Sequence, residues 1–269
     1  MAVWHTVRPD SDDRRGYGRL GRAMDPGAGR LVAVGGGVPA SLRGRRSTAD
    51  AFDRLDEALL ADPRATRLGV GTEPTDDDLL GFVRRQAVDA QATAARLAAL
   101  GRDNGGAGYP QSALADRLKL VGRLLKADAG TRVFYLRQTG YDIHARQPDR
   151  HADLLAEFAG AVAAFVPDLT AAKLADRVTI LASSEFGRTV RENGSAGTDH
   201  GTAGAVFVAG PTVRGGVVGT MPSLTDLEGG EPKMTTDFRA VYAAILRDWM
   251  GLPADAGVPE LGRVPLFRG

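Results

Sequence analysis

Two short β-branched runs with a long amphipathic stretch between them constrain this chain most. Arg132-Val133-Phe134-Tyr135-Leu136 has the length and side chains of a strand. Leu154, Leu155, Phe158, Val162, Phe165 and Val166 then mark one face of a helix, which Pro167 is expected to end. A second strand is predicted over 178–182, starting Val178-Thr179-Ile180-Leu181. Strand, helix and strand in this order make a βαβ unit, so the two strands should lie parallel in one sheet. Each runs into polar residues: Arg137 to His144 after the first, Ser183 to Arg188 after the second. Both clusters then share the carboxyl edge of the sheet, where ligands of open α/β sheets bind.

The rest of the chain fits an α/β reading. Ala2–Val7 alternates weakly and reads as a strand, and Tyr17–Met24 as a short helix before Pro26-Gly27. Leu31-Val32-Ala33-Val34 is another strand, stopped by Gly35-Gly36-Gly37. Those glycines suit a tight turn or the close approach of a phosphate. The turn is the simpler reading, because neither a GxGxxG nor a Walker pattern is present. Phe52, Leu55 and Leu59 predict a helix from Thr48 to about Leu60, and Asp76 to Leu100 a longer one. Asp76-Asp77-Asp78 is explained by the helix dipole and by capping from Thr75 rather than by a metal. Leu114, Leu118, Val121 and Leu125 give a further amphipathic helix. Ala205–Ala209 is a strand. The last helix should begin at Met234 with Thr235 or Thr236 as N-cap, bury Phe238, Val241, Tyr242, Ile245 and Trp249, and stop at Gly251 and Pro253. The residues after it should form an irregular tail.

The 269 residues suffice for a single large domain over 1–269. A net charge of +1 with interspersed signs gives no reason to expect a nucleic-acid partner. No stretch comes near the ~20 apolar residues of a membrane span. The absence of cysteine excludes disulfides, thiolate metal sites and a cysteine nucleophile. The N-terminal residues lack a basic region followed by an apolar one, so the chain as written reads as cytoplasmic.

The chemistry concentrates in Asp142, His144, Glu185, Arg188, Asp199 and His200. Asp-x-His puts two donors on one side of an extended segment. Glu185 and the Asp199-His200 pair come from neighbouring loops. Carboxylates with imidazoles suit a divalent ion such as Zn, Mn, Mg, Ca or Fe. Such an ion activates water and polarises a phosphoryl or sulfuryl oxygen. Arg188 is the candidate catalytic residue, holding an anionic oxygen through two N–H groups. Each residue also has a plainer reading. A histidine near a strand end is often only hydrogen-bonded, Asp199 suits a turn cap, and Glu185–Arg188 suits a salt bridge. The joint pattern is the stronger argument, since three of the four histidines lie between 144 and 200. His151 is set aside as exposed at a helix start. A serine triad through Ser183 or Ser184 is the weaker alternative, as no G-x-S-x-G elbow is present.

Three blocks carry a family resemblance: Gly140-Tyr141-Asp142-Ile143-His144, Ser184-Glu185-Phe186-Gly187-Arg188-Thr189, and Gly197-Thr198-Asp199-His200-Gly201 with the following strand and Arg214-Gly215-Gly216-Val217-Val218-Gly219. They resemble the Gly-Trp-Asp-Thr-His, Glu-Phe-Gly-Arg-Thr and third blocks of the bacterial "domain of unknown function 1501" family, related to sulfatases within the alkaline phosphatase superfamily. The resemblance covers roughly residues 30–250. It implies a three-layer α/β/α domain with a mainly parallel sheet, and a metal-dependent hydrolase of phosphate or sulfate esters. It implies that Asp142, His144 and His200 bind one metal, with Glu185 or Asp199 at or beside a second. The implied substrate is an anionic small molecule or saccharide ester.

The chain departs from the family pattern at its start. Family members usually carry an exported twin-arginine leader and a first strand ending in a Gly-Gly-Asn-Asp-like turn that supplies a metal carboxylate. A Ser-His-Phe-type segment normally follows the strand that Ala2–Val7 resembles. Here Arg8 to Gly18 has Asp-Ser-Asp-Asp-Arg-Arg instead. The expectation is therefore an N-terminally truncated hydrolase domain. Its rivals are a version inactive through truncation and a non-catalytic relic or binding module of the same fold. An incomplete sheet also predicts marginal stability and self-association.

Overall fold

The computed structural model describes residues 17–25, 27–47, 49–52, 108–128, 130–253 and 262–268. The strand expected at Ala2–Val7, the helix at 76–100 and the acidic run at 76–78 lie outside them. In chain order the main elements are α1 (Arg19–Met24), β1 (Arg30–Val34), β2 (Ala49–Phe52), α2 (Ala113–Lys126), β3 (Thr131–Leu136), α3 (Gln147–Ala171), β4 (Ile180–Ser183), β5 (Gly187–Arg188), β6 (His200–Gly201), β7 (Val206–Ala209), β8 (Leu227–Glu228), β9 (Glu231–Pro232) and α4 (Phe238–Ala244). This is a mixed α/β protein with a small parallel sheet.

That sheet has the order β2-β1-β3, with both pairs parallel. β1 organises it because both its faces are apolar. Val32 and Val34 join one cluster with Leu114, Leu118 and Val121 of α2 and Phe165 and Leu169 of α3. Leu31 and Ala33 join another with Met24 of α1 and Leu42. A strand covered on both faces reads as an unbroken apolar run rather than an alternating one, and Leu-Val-Ala-Val is such a run.

Several expectations need correction. Thr48–Leu60 was predicted as a helix, but Ala49–Phe52 is a strand. Tertiary pairing decides this: Leu31 to Val34 align with Ala49 to Phe52, Phe52 enters the core, and Arg30 pairs with Asp50 at 2.6 Å. The remainder of that prediction lies outside the described residues. Pro167 does not end α3, which runs on to Ala171. Phe165 and Leu169 are buried on either side of the proline, and Asp168 accepts from Lys126 Nζ at 2.6 Å and Tyr109 Oη at 3.1 Å. These contacts offset the roughly 3 kcal/mol that an interior proline costs. The buried face is Ala161, Phe165 and Leu169, while Leu155 and Val166, expected inside, are exposed.

The expected β3–β4 pairing is not among the described ladders. β4 instead pairs antiparallel with β7, Ile180 opposite Ala209 and Ser183 opposite Val206. The two strands still meet the same helical layer, since Phe134, Leu136, Val178 and Ile180 all pack on the α2/α3 cluster. The last helix starts at Phe238, later than expected, because Asp237 rather than a threonine caps it by accepting from Arg239 N. By length and composition α3 also meets the requirement for crossing a membrane, contrary to the sequence expectation. Here it packs along α2.

Candidate functional site

The segment after β3 is extended, and its side chains alternate. Ile143 points inward and is 6% exposed, while Asp142 and His144 share the opposite, exposed side. Asp142 Oδ1 lies 2.9 Å from His144 Nε2 and 2.8 Å from His200 Nε2. His200 arrives on β6, which pairs with β5 so that it stands opposite Arg188. Donor atoms of Asp142, His144 and His200 all lie within 4.8 Å of one another, and the group is exposed. Two imidazole nitrogens and a carboxylate oxygen converging on open solvent are a suitable ligand set for a divalent ion, with room for further ligands.

Asp199 stands behind this group. Its Oδ1 lies 3.1 Å from His144 Nδ1. Without an ion, Nε2–H is placed to donate to Asp142; with one bound, a proton held on Nδ1 by Asp199 would leave the Nε2 lone pair for the metal, the carboxylate–imidazole arrangement that orients metal-binding histidines. Hydrogen bonds from His144, then from Asn193, hold the Asp199 carboxyl below its ordinary pKa. Those of Asp199, then Asp142, hold the His144 imidazole above its own. Bonds to His200, then His144, lower Asp142.

Arg188 is half-buried, and its contacts are to backbone carbonyls. Nη1 donates to Thr198 O at 2.7 Å, and Nη2 donates to Tyr141 O. The guanidinium therefore ties the residue before Asp142 to the residue before Asp199. Phe186 stacks on His200 with ring centroids 4.0 Å apart, and the Arg188 guanidinium lies over the Phe186 ring at 5.1 Å from its centroid. Lysine cannot reproduce a planar fork on two carbonyls. Arg188→Lys is expected to keep the fold by circular dichroism and to weaken zinc binding in calorimetry about tenfold or more, as loss of outer-shell support does. Unchanged affinity would remove the clamp role.

Glu185 is exposed and outside the three-donor cluster; its field reaches Tyr135 instead. The structure thus brings together Asp142, His144 and His200, places Asp199 and Arg188 behind them, and leaves Glu185 aside.

Three supports escaped the sequence reading. Asn193 donates Nδ2 to His144 O at 2.9 Å and to Asp199 Oδ1 at 3.2 Å, while its Oδ1 accepts from Ser195 N and Gly197 N. Gln147, in the first turn of α3, accepts from Thr198 N at 2.8 Å and Thr198 Oγ1 at 2.6 Å. Gly187 fits only without a side chain, because a Cβ there would fall 1.7 Å from Ala203 O. Asn193-Gly194 was the available signal, since Asn-Gly favours turns. His151, set aside as exposed, is half-buried beside Tyr141, their rings edge-to-face at 5.7 Å.

Over residues 20–251 the chain matches the family described as "Protein of unknown function (DUF1501)". No curated protein and no solved structure matches it. The chain belongs to this family of unknown function.

Proposed function

We propose that this chain is a sulfatase-like, metal-dependent hydrolase of phosphate or sulfate esters, with Asp142, His144 and His200 as ligands of a divalent ion. The convergence of those three donors, with Asp199 fixing the free nitrogen of His144, carries the reading. A three-layer α/β/α fold of the alkaline phosphatase superfamily is part of the proposal. Coverage of both faces of β1 and the position of the donors after β3 support it.

A divalent ion at this place supplies Lewis acidity toward an ester oxygen and makes water more acidic. The protein's part is positional. Asp142 holds both imidazoles through one oxygen, Asp199 and Asn193 fix the ring of His144, and Phe186 stacks on that of His200. Arg188 keeps the two loops in register through backbone carbonyls. The exposed side chains admit a substrate from solvent without displacing protein.

A second reading, a metal-binding module without turnover, draws support from Arg188 and Glu185. One uses its terminal nitrogens on carbonyls, and the other stands outside the cluster. Hydrolysis of p-nitrophenyl phosphate and p-nitrophenyl sulfate separates the two. The hydrolase reading predicts turnover with added Zn or Mn that is lost in His144→Ala. Metal binding with no turnover on either ester favours the module.

A further inference from the structure

The glycines after β1 lead to a second place on the same edge of the sheet. Ala33, Val34, Gly35, Gly36 and Gly37 of that turn, with Tyr135 and Arg137 at the end of β3, line a small open crevice. None of the three metal-type donors lines it. We propose that this crevice is an oxyanion site that takes a phosphate or sulfate group independently of the metal centre.

Its lining residues include several donors. Arg137 is exposed, and its guanidinium has no hydrogen-bond or ion-pair partner among the described residues. Arg117 reinforces the positive field from behind, donating Nη1 to Arg137 O at 2.9 Å. Burial, then the nearby Glu185 carboxylate, raises the Tyr135 phenol against the opposing pull of Arg137, so the phenol keeps its proton for donation. Gly35 N–H is used on Phe52 O, whereas the N–H groups of Gly36 and Gly37 make no backbone hydrogen bond among the described residues. Two amides, a phenol and a guanidinium at one crevice match the acceptors of a tetrahedral oxyanion.

The tight turn alone does not account for all three glycines. Gly35 has φ +90°, and a Cβ there would meet Arg117 Nε at 2.1 Å, so local geometry requires it. Gly36 has φ +137°, which also favours glycine. Gly37 has neither a positive φ nor a neighbour within 4 Å of a built Cβ. An absent side chain at Gly37 keeps the mouth of the crevice open to a ligand. The parallel pair β1 and β3 ends here, where α/β sheets receive anionic ligands.

The test uses the whole chain, stripped of metal by chelation, with inorganic phosphate and sulfate titrated calorimetrically at constant ionic strength. Saturable binding is expected, weakened about tenfold or more in Arg137→Gln through loss of a charge-assisted contact and less in Tyr135→Phe. His200→Ala should bind as the parent does. Arg137 is exposed, so its variant is expected to fold, which circular dichroism checks. Absence of saturable binding, binding indifferent to Arg137→Gln, or binding lost in His200→Ala would each overturn the proposal. Because the measurement is made without metal, its outcome stands whether or not the chain is a hydrolase.

Discussion

Replacing Asp142 with alanine is expected to abolish stoichiometric metal binding. Its Oδ1 lies within 2.9 Å of both imidazole nitrogens, so one substitution removes a donor and the bridge that aligns the other two. Loss of an outer-shell partner typically lowers metal affinity 10–100-fold, and loss of a direct ligand should cost at least about a hundredfold. Asp199→Asn is the informative companion. Asparagine can still accept from His144 Nδ1 but carries no charge, so it should retain binding with roughly a 10–100-fold loss. Titration of both variants with zinc against a chromophoric chelator ranks them. Equal, small effects would mean that neither carboxylate organises the site. The side chains are exposed, so neither change should alter the fold.

The second large effect runs against the usual direction of core substitutions. Arg19→Met is expected to stabilise the protein by about 1–4 kcal/mol, the range seen when buried ionic groups are replaced by apolar ones. Arg19, the first residue of α1, is 6% exposed, and its Nε and Nη1 have no hydrogen-bond partner among the described residues. It lies over the Tyr242 ring. A desolvated cation–π contact returns about 2 kcal/mol. Burying an ion costs several kcal/mol, so the cost wins. Burial pushes the guanidinium down to about 9, partly opposed by Tyr242. Above pH 9 the unfolded chain holds more protons at this position than the folded one. Stability of the parent therefore rises with pH through that window, and its full penalty applies below pH 9. Urea unfolding at pH 8 and pH 10 should show the advantage of Arg19→Met shrinking at the higher pH. A destabilised variant at pH 8 would show that the guanidinium has a compensating partner.

The sequence carried the site further than it carried the sheet. Asp-x-His declares its geometry through period-two alternation, which Ile143, buried between two exposed donors, bears out. The central strand was equally legible, because Leu-Val-Ala-Val has no polar face to leave in water. Pairing was not. Ile180–Ser183 reads as a strand whichever neighbour it takes, and its choice of β7 over β3 is settled by long-range contacts. Ala49–Phe52 failed for a related reason, since Phe52 fits a helical spacing as well as the edge of a parallel ladder. Arg188 was found by its place in a motif, but its carbonyl partners were not legible there. A guanidinium binds a carbonyl as readily as an oxyanion, and only the distances to Thr198 and Tyr141 distinguish them.

The measurement that reaches the centre of this account is the metal content of the purified chain by elemental analysis, beside His200→Ala prepared in the same way. About one divalent ion per chain is expected in the parent, with loss of that ion in the variant, because His200 supplies one of the three convergent donors among the described residues. A parent without metal after equilibration with zinc and manganese, or a variant that keeps the full complement, would contradict it.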